Sequence, residues 1–201
     1  MKPVDLLVAS TNLKKLEELR DVLETLPFRL HSLQEFPAIQ EVAETGKTFQ
    51  ENATLKALGY AKQTGLLTLA EDSGLCCDAL EGAPGVYSSR FSGKRGDDLE
   101  NNRKLLRLMA KLPDNCRQAH FVSCIAVAEP KQSAVKTVEG TVHGYINTEM
   151  RGDNGFGYDS VFYYPDFGKT FGEVAPEKKR AVSHRAKALA KARDLLKTYL
   201  D

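Results

Sequence analysis

The first 27 residues constrain the fold of this chain more than any other stretch. Val4 to Ala9 is a compact apolar run, and a run so short and so apolar reads as a buried strand. Polar Ser10-Thr11-Asn12 follow at once. Leu13, Leu16, Leu19, Leu23 and Leu26 then recur at spacings of three and four, until Pro27 ends the helix they define. Strand, polar turn and amphipathic helix in immediate succession form the unit from which α/β sheets are assembled.

The rest of the chain extends the pattern. Residues 30–46 read as irregular. Thr48-Phe49-Gln50-Glu51 has the form of a capping box, opening a helix whose face runs through Ala53, Ala57 and Tyr60 to a stop at Gly65. Leu66 to Ala70 is a second short apolar strand that ends at Glu71-Asp72-Ser73-Gly74. Gly82-Ala83-Pro84-Gly85 is turn material, and Leu99, Leu105, Leu106, Met109 and Leu112 mark a third helix closed by Pro113. Residues 118–128 and 134–148 read as two strands of a hairpin. A glycine-rich loop, Gly152 to Gly157, leads to a strand at Val161–Tyr163. The chain closes in one basic amphipathic helix with Val182, Leu189, Leu196 and Leu200 along a stripe. These elements predict an α/β fold with a mixed sheet and flanking helices, in one domain over residues 1–201 whose lobes, if there are two, are interwoven.

Composition narrows the partners. A net charge of +1 gives no bulk attraction to duplex DNA or a membrane surface, so an anion must be held by a local site. No segment approaches the roughly 20 apolar residues of a membrane span. The apolar run after Met1-Lys2-Pro3 is too brief and too acidic for a signal peptide, so a cytoplasmic setting is expected. Cys76, Cys77, Cys116 and Cys124 have neither redox nor zinc spacing and are expected to be small buried hydrophobes.

Several clusters could carry chemistry. Ser10-Thr11-Asn12-Leu13-Lys14-Lys15 sits where a strand hands over to a helix N-terminus, a natural phosphate position. An ordinary N-cap would look the same. Glu44, ahead of the second helix, and Glu71-Asp72, where a strand is expected to end, offer the hard oxygens that Mg²⁺ takes. A solvated acidic loop is the alternative. Asn154-Gly155-Phe156-Gly157-Tyr158-Asp159 combines backbone freedom with a stacking face, or is a plain turn. Lys178-Lys179-Arg180 and Ser183-His184-Arg185 are either a binding face or a solvated one.

Together these segments closely resemble the inosine triphosphate pyrophosphatase family, also called XTP/dITP diphosphatases. The resemblance runs through Ser10-x-Asn12-x-x-Lys15, Glu44-Thr45-Gly46-x-Thr48-Phe49-x-Glu51-Asn52-Ala53-x-x-Lys56-Ala57 and Ala70-Glu71-Asp72-Ser73-Gly74-Leu75. It continues in Gly82-Ala83-Pro84-Gly85-Val86-Tyr87-Ser88, Gly155-Phe156-Gly157-Tyr158-Asp159 and Ser183-His184-Arg185. Glu71 stands where the family usually has Asp, Ser160 where Pro is common, and Gly93 to Asn102 is only loosely similar.

The resemblance implies an elongated sheet in two lobes enclosing a nucleotide cleft, usually in a homodimer. It implies Mg²⁺ on Glu44, Glu71 and Asp72, with Asp72 as general base and Lys56 on phosphate. Ser10, Asn12 and Lys15 would hold the triphosphate, and Thr11, Leu13, Lys14 and Ser73 would be further substrate-binding residues. Phe156, Gly157, Tyr158, Asp159, Lys179, His184 and Arg185 would read the base. The implied activity is hydrolysis of purine triphosphates carrying a non-standard base (ITP, dITP, XTP) to monophosphate and pyrophosphate.

Other classes fit less well. A Maf-like pyrophosphatase acting on modified pyrimidines lacks the Gly-Phe-Gly-Tyr-Asp and Ser-His-Arg segments. A non-catalytic sensor would be expected to lose a metal carboxylate or Lys15, and a nucleic-acid module conflicts with the balanced charge.

Overall fold

The computed structural model describes residues 3–132 and 134–200, with the side chains of Leu13, Lys14, Asp21 and Asp114 outside that description. Strand β1 (Val4–Ala9) passes into helix α1 (Leu13–Leu23), whose N-cap is Asn12. Residues 28–32, expected to be partly irregular, form strand β2 (Phe28–Ser32), parallel to β1 with Val4 opposite Phe28. Apolar Phe28 and Leu30 alternate with Arg29 and His31, a two-residue period too short to stand out in the sequence. Helix α2 (Phe49–Thr64) starts at the Thr48 cap and stops at Gly65, which takes the left-handed conformation at φ 71°. Thr48 Oγ1 accepts the Glu51 N–H at 3.1 Å, but the Glu51 carboxylate reaches one residue farther back than a capping box, to the Lys47 N–H at 2.6 Å.

Strand β3 (Leu67–Cys77) corrects a second expectation. It does not end at Ala70 but runs on through Glu71, Asp72, Ser73 and Gly74. The two carboxylates therefore lie inside a strand, where Glu71 is 4% and Asp72 9% exposed. Helix α3 (Asp98–Met109) precedes strands β4 (Gln118–Ala128) and β5 (Val135–Ile146), and these pair as neighbours across a connection too short for a crossover. Strands β6 (Phe162–Tyr164) and β7 (Lys169–Thr170) add antiparallel pairs beyond β5. The sheet order is β2-β1-β3-β4-β5-β6-β7, and with β1 parallel to both β2 and β3 the sheet is mixed, as expected.

The C-terminal segment is two helices, α4 (Pro176–Val182) and α5 (His184–Lys197), rather than one. Ser183 breaks the run: its backbone is extended and its hydroxyl accepts the Ala186 N–H at 3.1 Å, as a helix cap does. The expected apolar stripe is split accordingly. Leu189 and Leu196 enter one core cluster and Val182 packs on another.

The chain forms two compact units. One is drawn from residues 1–72, 123–140 and 187–201, the other from residues 73–122 and 141–186. The first is centred on Leu6, Leu19, Leu23, Leu69, Ile125 and Leu196, and the second on Leu75, Leu105, Met109, Phe162 and Phe171. Cys77 and Cys124 are buried, and burial pushes each thiol up to about 12, whereas Cys76 and Cys116 are only half-buried. Among the described residues no helix is long and apolar enough to cross a membrane.

Candidate functional site

In the first unit, the turn between β1 and α1 is organised by its own side chains. Asn12 Oδ1 accepts the Lys15 N–H at 3.2 Å, and the Asn12 N–H is donated to Ser10 Oγ at 3.2 Å. Asn12 is thus the cap that any such helix would use, and Thr11 beside it is exposed. The first turn of α1 carries no acidic residue, so the positive end of its dipole is not neutralised from within. The side chains of Leu13 and Lys14 lie outside the described residues. Lys15 leans the other way, with Nζ 3.9 Å from Glu71 Oε2.

The acidic residues gather around an ammonium. Lys56, on α2, donates to the Glu71 carbonyl at 2.7 Å and meets Glu44 Oε1 at 3.0 Å and Asp72 Oδ1 at 3.3 Å. These contacts use the three donors an ammonium has. Lys56, expected on phosphate, is here the hub that holds the carboxylates. Glu71 is fixed from a further direction, where the Ser123 hydroxyl of β4 donates to its Oε1 at 2.7 Å. Burial pushes the Asp72 carboxyl above the usual carboxylate range; Lys56 and then Lys15 pull it down, and Glu44 pushes it up again.

The donors are of the type Mg²⁺ takes. They are hard oxygens, and Asp72 Oδ2 is buried with no hydrogen-bond partner. Among the described residues no three His, Cys, Asp or Glu side chains are already gathered as a metal cluster. The cation facing Glu44 and Asp72 is the Lys56 ammonium, and Lys15 stands nearest Glu71.

The second unit assembles the glycine-rich loop. Asp159, 2% exposed, folds back to accept the Phe156 N–H at 2.9 Å and to pair with the Lys179 ammonium. Gly155 is obligatory for that fold: φ is +79°, and a Cβ would overlap the Asp159 carboxylate. Its smallness makes room for the loop's own side chain. The Phe156 ring has Lys179 Nζ 4.7 Å from its centroid and Arg185 Cζ 5.5 Å away. Arg185, 2% exposed, also donates to Ser73 Oγ at 3.3 Å. His184 lies flat on Phe121, with centroids 4.8 Å apart and planes at 11°. The Tyr158 hydroxyl donates to the Ser88 carbonyl at 2.8 Å, and the residue is buried. Here the structure brings Ser73, Phe156, Asp159, Lys179 and Arg185 together, with His184 next in the chain.

Sequence reasoning passed over four residues. Ser123 and Asn52 lie beside the carboxylates, and Asn52 supports the ionised form of Asp72. Asp98 and Asn102, on α3, bond the loop at Gly157. Their four-residue spacing on a helix was the only available signal.

The sequence model of the Ham1 family matches residues 6–195. A relative from Desulforamulus reducens named dITP/XTP pyrophosphatase is 48% identical over 191 residues, covering 95% of this chain and 94% of its own length. A relative of the same name from Geobacter sulfurreducens is 48% identical, with coverage of 95% and 96%. Among solved structures, a HAM1 protein from Coxiella burnetii superposes with a TM-score of 0.91 at 41% identity, covering 97% of this chain and 99% of that one. A nucleoside-triphosphatase, dITP/XTP pyrophosphatase, from Mycobacterium abscessus does so with 0.80 at 45% identity, covering 94% and 97%.

Proposed function

Because the chain belongs to the Ham1 family, we infer that it is a nucleoside triphosphate pyrophosphatase. It hydrolyses purine triphosphates that carry a non-standard base, releasing the monophosphate and pyrophosphate. The observation that supports the chemistry best is Asp72, a buried carboxylate held by Lys56 with its pKa raised by burial. A raised carboxyl is a better proton acceptor near neutrality, and a positioned base contributes about 10²–10⁴-fold.

In this proposal water attacks the α-phosphorus and Asp72 takes its proton. The bond to the bridging oxygen breaks, and pyrophosphate leaves with that electron pair. Glu44, Glu71 and Asp72 would hold Mg²⁺, which when bound neutralises phosphate oxygens that would otherwise repel the nucleophile. Lys15 and the N–H groups at the start of α1, with Ser10 and Asn12, take the phosphates. Lys56 holds Asp72 and Glu44 in register and gives up one of its contacts if it touches phosphate.

Base choice belongs to the second unit. Hypoxanthine and xanthine present a carbonyl oxygen at position 6, where adenine presents an amino group. The buried donors Arg185, Lys179 and His184 match the carbonyl. Facing an amino group, each unmatched donor would cost about 1–3 kcal/mol. A cytoplasmic setting and a homodimer are part of the same proposal, and gel filtration tests the latter.

The deciding experiment is a panel of inosine, xanthosine, adenosine and guanosine triphosphates with Mg²⁺, assayed for pyrophosphate and orthophosphate separately. Pyrophosphate released in one step from inosine and xanthosine triphosphates is expected, abolished by EDTA. Orthophosphate and diphosphate as first products overturn the attack at the α-phosphorus. Full turnover in EDTA overturns the metal assignment.

A further inference from the structure

We propose that Asp98 and Asn102 are specificity-positioning residues: they hold the base loop in place by binding both backbone polar groups of Gly157. The proposal rests on the nucleotide reading of the second unit given above.

Asp98 opens α3, one residue after the Asp97 cap, and Asn102 follows one turn later on the same face. Asp98 Oδ2 accepts the Gly157 N–H at 2.7 Å. Asn102 Nδ2 donates to the Gly157 carbonyl at 2.7 Å and to the Asp98 carbonyl at 2.8 Å. Both acceptors of the Asn102 amide are carbonyl oxygens, so only its NH₂ group can face them. Asn102 is 3% exposed, and these two bonds satisfy its buried NH₂ group in a helix whose other buried residues are Asn101, Leu105 and Met109.

Gly157 needs such partners. Its φ of +63° takes the chain out of any strand or helix, so neither regular structure supplies partners for its N–H and C=O. Its neighbours are tied independently, Phe156 through its N–H to Asp159 and Tyr158 through its hydroxyl to Ser88. The Phe156 ring, with Lys179 and Arg185 against it, thus hangs between two fixed points, its own Asp159 bond and the Asp98–Asn102 hold on Gly157. Releasing Gly157 frees one of them. A displacement of about 1 Å in a recognition group is enough to cost discrimination. Neither Asp98 nor Asn102 has to touch the base; they act through the loop.

The test uses Asn102→Asp, Asp98→Ala and Asp98→Asn in the full chain. Asn102→Asp keeps the shape but turns a carboxylate toward two carbonyls. Asp98→Ala removes the acceptor for the Gly157 N–H, while Asp98→Asn retains one. Readouts are KM and kcat for inosine and adenosine triphosphates, calorimetric binding of inosine monophosphate, and hydrogen exchange of peptides spanning residues 152–159.

Asn102→Asp and Asp98→Ala are expected to raise KM for inosine triphosphate about five- to tenfold with kcat within about twofold. The inosine-to-adenosine preference should shrink in step, and exchange should quicken in the loop but not in α2. Asp98→Asn should stay close to wild type. Unchanged KM and preference in both disruptive variants overturn the proposal, as does an equal fall in kcat for both nucleotides at constant preference. If Asn102→Asp fails to fold, the contrast between Asp98→Ala and Asp98→Asn, at a half-exposed position, decides. A wild-type enzyme with no preference for inosine overturns the base reading instead, and loop exchange then still decides whether the clamp holds.

Discussion

The Ser123 hydroxyl donates to Glu71 Oε1 at 2.7 Å between neighbouring strands β4 and β3, and neither side chain reaches solvent. A carboxylate in that position persists because this donor and the Lys15 ammonium compensate for lost water. Ser123→Ala removes one of them while leaving the charge in place. The expected result is a loss of about 2 kcal/mol in unfolding free energy, measured by urea denaturation. A change within error would mean that the hydroxyl contributes nothing to holding Glu71.

Asp72→Asn should lower kcat by at least about 100-fold, followed by pyrophosphate release from inosine triphosphate. The substitution keeps the volume, and Lys56 retains Glu44 and the Glu71 carbonyl, so the melting temperature should move little. Near wild-type turnover would show that another group accepts the proton of water. A large fall in melting temperature would make Asp72 a structural residue.

Arg185→Ala should raise KM for inosine triphosphate and narrow its advantage over adenosine triphosphate. Arg185 is buried, bonded to Ser73 and set against Phe156, so its loss removes one of the buried donors beside the loop. Steady-state kinetics on both nucleotides measure this. A variant that keeps the wild-type preference removes Arg185 from base recognition.

His31 makes stability depend on pH. Its Nδ1 meets Glu35 Oε2 and its Nε2 meets Asp5 Oδ1, each at 2.8 Å. A neutral imidazole has one N–H, so both bonds need the imidazolium. The Asp5 bond and then the Glu35 bond push the His31 pKa up. The stabilisation is therefore complete below the unfolded pKa of about 6.5 and fades as pH rises through the raised folded value. On the acid side, the His31 bond holds the Asp5 carboxyl down, and the Ser32 N–H followed by His31 does the same for Glu35, so their share fades as pH falls through those lowered values. His31→Gln should melt below wild type at pH 6, with the gap closing by pH 9. A gap that widens with pH would contradict the ion network.

Much of the architecture was legible because local signals are strong where neighbours in the chain supply the partners. The Thr48 cap and the Gly65 stop are decided within one or two helical turns and stand where the sequence puts them, whereas α1 keeps its leucine face but stops at Leu23, short of the expected end at Pro27. The ordered motifs likewise carry the family, since the residue types suited to metal, phosphate and base are written in the chain itself.

What the chain could not specify locally is where long-range partners override composition. Polar Glu71-Asp72-Ser73-Gly74 reads as the end of a strand, yet β3 continues through it because Ser123, Lys15 and Lys56 meet charges that would otherwise require water. Ser183 divides a continuous helical pattern because each helix packs on a different core. Gly155 and Gly157 suggest backbone freedom for a ligand, but their conformations are taken up by Asp159, Asp98 and Asn102 of this chain. The sequence by itself determined most element types, the cap and stop of α2 and the kinds of chemical group available, while α1 and α3 end at Leu23 and Met109, short of the prolines expected to close them. Only the tertiary structure decided which of those groups are buried, which cation each carboxylate faces and what holds the loop, because such contacts join residues as far as 112 positions apart.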